Sequence, residues 1–534
     1  MEDNQFNLLL LNSFSNKIEK FVKNKKEVVK WYSCGPTIYD QAHLGHARTY
    51  ISFDIIRRVM IYLGYNIIYA MNITDIDDKI INKVKIIQLC KEFLKDNFNE
   101  NMYIQDMEKI VIDNNLNEKF INMKLDKIIF EKFIKKMEYE FWKDMDNLNV
   151  MKPTIITRVS EYIGEMKDYV DIIIKNNFGY IKNNSVYIDS KLMNENELNT
   201  NIFKEHNEDD YSENEFLNEK KNKSDFVLWK KSKDYDLEYE SQYGMGRCGW
   251  HLECATMMTS IFGPDIDIHS GGIDLKSTHH NNEIVQMKAH ENKNENFIKF
   301  FLHSGHLNIG GSKMSKSLKN FISIKQFLNE KGTSRQLRLM FLLHNWYDTL
   351  DYTENGTLQE SKITEKRIMD FYENMNYQLK NNNKKINLEN DNNFKEKIDC
   401  KINSIELELR NNINTKKVLE LILKIIHKIY KYSENDFNIH IIINYYKYIN
   451  NLLSVLGLDF NDIFYKDKKN VDNAKVIDTL INFRNDIRNV LINNKEVNKK
   501  QLFEILDDFR DKKSKEIGIK IEDLSQGNVK WTFL

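Results

Sequence analysis

The chain has 534 residues, enough for roughly three or four domains and at least one large core. Its 78 basic and 79 acidic side chains nearly cancel, which excludes a global field that would draw in nucleic acid, so any such contact has to come from local patches. Five scattered cysteines, Cys34, Cys90, Cys248, Cys254 and Cys400, exclude a disulfide framework and point to a reducing compartment with thiols free for metal. Residues 1–20 hold one short apolar run flanked by acids, so no secretory leader is expected, and no stretch is apolar for long enough to span a bilayer.

Residues 27–32, EVVKWY, read as a short buried strand that Cys34-Gly35-Pro36 stops. A tight turn and a helix follow. His43-Leu44-Gly45-His46 stands at the helix start, with Tyr50, Ile51, Phe53, Ile55, Ile56, Val59 and Met60 as the buried stripe. Unpaired amides at a helix start carry partial positive charge, so this turn is a candidate seat for a phosphate chain, against the plainer reading of two loop histidines. A second strand, residues 65–71, ends in NITDIDDK. Strand, helix, strand opens an α/β doubly wound parallel sheet of Rossmann-like type, in which ligands collect beyond the carboxyl ends of the strands. Cys34, the HLGH turn and Thr74 share that edge. Asp75, Asp77 and Asp78 suit either a magnesium site or, at least as well, carboxylates that cap backbone amides, and no metal is assigned to them.

Residues 80–151 form a charged helical insertion, 160–177 a helix and the stretch around Gly179 a hairpin, while 194–223 is a polar flexible loop. Order returns at residues 224–230. GWHLECA, from Gly249, leads into a helix, and DIDIHSGGIDLKSTHHNNE, from Asp265, reads as strand, glycine turn and helix. His279 and Glu283 are four apart and leave a helix from one face. With Cys34 and Cys254 they would complete a four-ligand zinc site, for which Cys248, His251 and His280 are rivals. Glycines 310 and 311 open a mobile loop, KMSKS, able to close on anionic phosphates.

HLGH near the start and KMSKS late in the chain, together with WYSCGPTIYD, MNITDIDDKI, DFVLWK, GWHLECA, HHNNE, RQLRLMFLLHNWYDTLDY and QGNVKW, resemble the cysteinyl-tRNA synthetases, class I enzymes, in their cytosolic eukaryotic form. The resemblance spans most of residues 31–531 apart from the insertions. It implies zinc on Cys34, Cys254, His279 and Glu283, and a cysteine pocket shaped by Gly35, Thr74, Trp250 and His269. It also implies ATP, with Mg²⁺, contacting His43, His46, Gly272, Asp274 and Lys316, catalytic roles for His43, His46, Lys313 and Lys316, tRNA(Cys) as partner, a cytoplasmic location and no membrane. A small-molecule cysteine ligase, or a zinc- and nucleotide-binding regulatory protein, are the alternatives. Ser277-Thr278 and Cys248 stand where the family has Phe-Pro and Pro.

The expected organisation is residues 1–79 and 246–302 as the two halves of the catalytic domain, 80–245 as insertion and connection, and 303–357 as the KMSKS loop and a connecting fold. A helical bundle, 358–499, includes a polar linker at 380–393, and a mixed tail, 500–534, follows. Bundle and tail are by resemblance the anticodon-binding region, with Trp531 either stacking on a base or packing inward.

Overall fold

The computed structural model describes residues 7–22, 28–99, 102, 104–121, 123–195, 219–232, 237–314, 320–381, 388–433, 438–460, 477, 480–482, 484–485, 487–489, 491–492, 499–516, 519–524 and 529–533. Lys316, Gln526-Gly527 and most of the loop expected at 194–223 lie outside these. Two compact units are present, Met1–Gln359 with Ile405–Val418, and Glu360–Ser404 with Leu419–Leu534.

The first unit begins with a hairpin, β1 (Leu9–Asn12) and β2 (Lys17–Lys20), followed by β3 (Val28–Ser33), α1 (Leu44–Tyr62) and β4 (Asn66–Ile73). Next come α2 (Asp78–Leu94), α3 (Ile104–Asp113), α4 (Asn117–Ile121), α5 (Lys127–Asn147), β5 (Ile155–Arg158) and α6 (Ile163–Lys175). An antiparallel sheet combines β6 (Gly179–Lys182), β7 (Ser185–Ile188), β8 (Val227–Lys231) and β9 (Gly246–Cys248), with α7 (Ser190–Glu195) between β7 and β8 in sequence. The chain re-enters the main sheet through α8 (Trp250–Phe262), β10 (Ile266–Gly272), α9 (Asn281–Glu291) and β11 (Ile298–Ser304). It continues through β12 (Leu307–Ile309), β13 (Ser312–Lys313), α10 (Ile324–Glu330), α11 (Ser334–Leu342) and β14 (Leu350–Tyr352).

The main sheet is wholly parallel, in the order β11-β10-β3-β4-β5. β3 comes first of these in sequence and lies at the centre, so the order reverses between β3 and β10, which is where a doubly wound sheet opens a crevice. The expected opening strands and helix are present. The edge strands β5 and β11 and the β1–β2 hairpin were not foreseen. Four residues after Pro153 are too few for alternation to show in β5. Helix α1 is buried along almost its whole length, since it packs between the sheet and α10 and α11. Asp77 caps α2 through Lys79 N at 2.7 Å and Asp75 accepts from Ser160 N at 3.0 Å, so both work as backbone acceptors.

The rest of the chain is mainly helical: α12 (Gln359–Asn381), α13 (Leu388–Arg410), α14 (Thr415–Ser433), α15 (Ile439–Val455) and α16 (Lys499–Asp508), then an antiparallel hairpin of β15 (Ile519–Asp523) and β16 (Val529–Phe533); all of it belongs to the second unit except Gln359, the end of α13 from Ile405 and the start of α14 up to Val418. Helix α12 runs to Asn381 and α13 begins at Leu388, so the linker expected over 380–393 is no longer than 382–387. Asparagine, a weak helix former, lowered the apparent helical signal there without breaking the helix. Trp531 packs against a small core of Ile477, Ile481, Ile519 and Ile521, so of its two readings packing is the one observed.

One buried ion pair ties α1 to α11. Arg338 Nη1 lies 2.6 Å from Asp54 Oδ2, both side chains 1% exposed, while Arg338 Nη2 donates to the carbonyls of Leu148 and Asn149 at 2.9 and 2.8 Å. Arg338→Met leaves a buried carboxylate short of one of its two cations, Arg58 remaining, and takes the donor from the Leu148 carbonyl. The urea midpoint of the first unit should fall by the equivalent of about 3 kcal/mol or more; a change below about 1 kcal/mol contradicts this account of the pair.

Candidate active site

The pairing Ile268↔Trp31, His269↔Tyr32 and Ser270↔Ser33 sets β10 beside β3, and Cys34 N donates to Ser270 O at 2.8 Å. On the other side, Gly35 N donates to Asn72 Oδ1 at 2.8 Å, and a Cβ on residue 35 would collide with the carbonyl of Asn72. Glycine is required for that approach. Cys34 is thereby fixed at the carboxyl end of β3, facing α8 and α9.

There the side chains of Cys34, Cys254, His279 and Glu283 come together, all buried, with one donor atom from each lying within 4.8 Å of every other. The sulfurs are 3.7 Å apart, Cys34 Sγ is 3.9 Å from Glu283 Oε1, and His279 Nε2 is 3.0 Å from Glu283 Oε1. A second set, Cys34, His269, His280 and Glu283, meets the same limit and shares two members with the first. His269 bridges Tyr32 O at 3.1 Å and Glu283 Oε2 at 2.6 Å, while His280 reaches Cys34 Sγ at 3.3 Å and His303 Nε2 at 2.8 Å. Of the other rivals, His251 Nδ1 meets His279 Nδ1 at 3.1 Å and Cys248 Sγ lies 3.7 Å from Glu253 Oε1, outside both sets.

The electrostatics follow from this crowding. The hydrogen bond from Cys34, aided by His279, pulls the Cys254 thiol down to about 6, whereas burial and then Cys254 push Cys34 well up. The two sulfurs thus share one proton. Burial works against the Glu283 carboxylate, but His269, His279 and His280 outweigh it and hold its pKa well down. Burial likewise opposes the His279 cation, and Glu283 and Cys254 prevail and raise it.

The HLGH turn differs from its sequence expectation in one respect. Its first-turn amides are not free: Leu44 N donates to Ile322 O at 3.1 Å, Gly45 N and His46 N to His43 Nδ1 at 3.1 and 3.4 Å, and Ala47 N to His43 O at 3.1 Å. His46 Nδ1 in turn accepts from His43 N at 3.3 Å, which completes a reciprocal cap. A ring nitrogen that accepts carries no proton, so both neutral imidazoles are left with Nε2–H as the donor. The correction is that a phosphate seated at this turn would have to meet imidazole N–H groups and not helix amides. Burial, only partly offset by Asp274, takes His43 down to about 4, and burial followed by the neighbouring His43 lowers His46 too.

Asp274, whose carboxylate folds over Gly272, carries β10 to within electrostatic reach of His43. Both flanks of the KMSKS loop sit at the same turn. A Cβ on Gly45 would lie 3.3 Å from the Met314 methyl, and Ser323 bridges to His43. Lys313 lies in β13, which pairs with β12, and Lys316 is outside the described residues. Trp250 packs on His279 with ring centroids 4.6 Å apart, and Thr74 Oγ1 lies 3.2 Å from Glu253 Oε2. Two polar groups of this region, Asn72 and Glu253, were given no role from sequence, although both stand inside the quoted motifs. The signal was available in Glu253, an acid flanked by apolar residues next to Cys254.

Among the described residues no helix is long and apolar enough to cross a membrane. The family model described as "tRNA synthetases class I (C) catalytic domain" matches residues 20–363. A Drosophila melanogaster protein named "Cysteine--tRNA ligase, cytoplasmic" is 39% identical over 442 residues, 69% of this chain and 59% of the relative, so the chain spans little more than half of that relative's length. One of the same name from Dictyostelium discoideum is 34% identical over 98% of this chain and 78% of its own. Among solved structures, Thermus thermophilus arginyl-tRNA synthetase aligns with a TM-score of 0.54 at 9% identity, covering 82% of each chain. Mycobacterium tuberculosis methionyl-tRNA synthetase gives 0.52 at 12% identity, over 76% of this chain and 83% of that one. These two likenesses speak for the fold. With a family model matched over most of its length and a Dictyostelium relative aligned nearly end to end, the chain belongs to the class I (C) tRNA synthetases.

Proposed function

We propose that this chain is a cytoplasmic cysteine–tRNA ligase: it activates cysteine with ATP, taken as the magnesium complex, to cysteinyl-adenylate and transfers the cysteinyl group to the 3′ end of tRNA(Cys). The observation that carries the reading is the convergence of Cys34, Cys254, His279 and Glu283 at the sheet edge that also holds the HLGH turn. The names of the curated relatives agree with it.

The donor set fits zinc. Two sulfurs on a tetrahedral ion with bonds of about 2.3 Å would stand about 3.8 Å apart, and Cys34 and Cys254 are 3.7 Å apart. When bound, zinc supplies a soft acceptor for the substrate thiol, which a hydroxyl cannot match, and a serine-for-cysteine error that an apolar pocket separates only ~10²-fold is avoided. The chain's residues do the rest. Gly35, Thr74, Trp250 and His269 wall the amino acid, Gly272 and Asp274 lie at the adenosine, and His43 and His46 donate Nε2–H to the phosphates. Lys313 and Lys316 bring positive charge onto them as the substrate carboxylate attacks the α-phosphate, so that charge developing toward pyrophosphate is met by fixed donors. A ribose hydroxyl of the tRNA then attacks the adenylate carbonyl and releases AMP.

Cysteine-dependent ATP–pyrophosphate exchange and charging of tRNA(Cys) test the reading directly; absence of both in the purified chain contradicts it. Cys254→Ser should lose most bound zinc by elemental analysis and relax discrimination against serine, whereas a variant that kept its full metal content would show the ligand set to be misassigned. The depressed histidines give a pH expectation. His43 stays neutral until the pH approaches about 4, so exchange should carry no His43 inflection between about pH 6 and 8. An inflection in that window that disappears in His43→Asn refutes the neutral-donor role. The sign for stability is the same: the unfolded chain takes up this proton near about 6.5, so the fold loses stability as pH falls from there toward about 4.

A further inference from the structure

Glu253, in the first turn of α8, is 3% exposed and makes no ion pair with lysine or arginine among the described residues. Its contacts are the Thr74 hydroxyl at 3.2 Å from Oε2 and the Cys248 thiol at 3.7 Å from Oε1. Two basic side chains on the strands that lead to α8, Lys230 of β8 and Arg247 of β9, both pair with Asp78. A buried carboxylate without a cation is costly, and a cationic ligand beside it would offset that cost.

A line of polar contacts runs from this carboxylate to the donor cluster. Asn72 Nδ2 donates to Thr74 Oγ1 at 3.2 Å, Asn72 Oδ1 accepts from Gly35 N at 2.8 Å, and the same oxygen is 3.7 Å from Cys254 Sγ. Thr74 is thus held with its hydroxyl proton toward Glu253. A free amino acid whose thiol lies at Cys34 and Cys254 carries an ammonium two carbons from its sulfur, and Thr74 and Glu253 are the polar groups that this line of contacts ties to those sulfurs.

We infer that Glu253, with Thr74, is the seat and countercharge for the α-ammonium of the substrate amino acid. This rests on the reading of the cluster as a thiol site. The two proposals act on opposite ends of the ligand, so they fail separately. Together they make the site select a small molecule with both a thiol and a cationic amine, and disfavour thiols whose amine is acylated, such as a cysteine within a peptide.

The test uses the zinc-loaded full chain and calorimetric titration. Wild type should bind cysteamine at least roughly ten times more tightly than ethanethiol, which lacks only the ammonium, since a hydrogen-bonded charge contributes on the order of a tenfold affinity or more. Glu253→Gln keeps the shape and the Thr74 contact. It should weaken cysteine by a similar factor, leave 3-mercaptopropionate, which has no amine, within about twofold, and leave zinc content unchanged. Equal binding of cysteamine and ethanethiol by wild type overturns the inference whether or not the variant folds, and so does a Glu253→Gln protein that binds cysteine normally or loses both thiol acids alike. Wild type that binds none of the thiols overturns the thiol-site reading itself, and the inference with it.

Discussion

The parallel register between β3 and β10 is the constraint on which the active site depends. It is fixed off the ladder as well as on it, by Lys30 N to Asp267 Oδ2 at 2.9 Å and Trp31 Nε1 to Ser270 Oγ at 2.8 Å. A strand slipped by one residue turns every side chain to the opposite face. Trp31 meets Phe53 of α1 on one face, and Tyr32 meets His269 on the other. Alternation puts Cys34 with Tyr32, on the side from which α8 brings Cys254 and α9 brings Glu283. The HLGH turn begins α1 on the opposite face but at the same edge. A ligand lying over that edge can present its thiol to one face and a phosphate chain to the other, which suits the joining of an amino acid to a nucleotide.

Helix α1 is where the pieces of the first unit are held to one another. Its cap is made from His43 and His46 themselves, so the residues proposed to meet the phosphates are also those that start the helix. One turn on, Arg48 Nη2 donates to the carbonyls of Asn345, Trp346 and Asp348 at 2.6, 3.3 and 3.1 Å, and further along Asp54 takes Arg338. The segment that Arg48 grips leads into β14, which pairs with β12, and β12 pairs with β13, the strand that holds Lys313. Gly305 lies so close to Tyr347 and Asp348 that a side chain there would strike their carbonyls, which keeps this connection tight. The base of the KMSKS hairpin is therefore set by contacts that start on the HLGH helix.

How much of this could be read from the sequence depended on whether a feature was local. The strand–turn–helix around HLGH was legible because β-branched residues, a Gly-Pro stop and a long apolar stripe all lie within 35 residues of one another, from 27 to 60. The one-face relation of His279 and Glu283 was legible from spacing, and it survives even though residues 276–280 form a wider turn before α9 begins. What escaped was non-local. β5 and β11 are strands because neighbours pair with them, and no residue within IITR marks it as an edge. The occupied amides of α1 could not be foreseen either, since one of their partners, Ile322, arrives nearly 300 residues later. Glu253 lay in plain view, but that no lysine or arginine among the described residues pairs with it, Lys230 and Arg247 taking Asp78 instead, is a fact of the fold.

The two overlapping donor sets can be separated by distance. Two light-atom ligands, each about 2.1 Å from a tetrahedral ion, stand about 3.4 Å from one another. His269 Nε2 and Glu283 Oε2 are 2.6 Å apart, a hydrogen-bond separation too short for both atoms to face one ion, whereas His279 Nε2 and Glu283 Oε1, at 3.0 Å, are closer to the required spacing. The short contact therefore suits a group that orients a ligand from behind. His269 is itself held by the Tyr32 carbonyl, and holds Glu283 so that its other oxygen turns toward Cys34 and His279. His251 stands in the same relation to His279, and His303 to His280. On this reading the surplus of buried imidazoles is a supporting shell, and the proposed metal position stays on the side of Glu283 that faces Cys34 and His279.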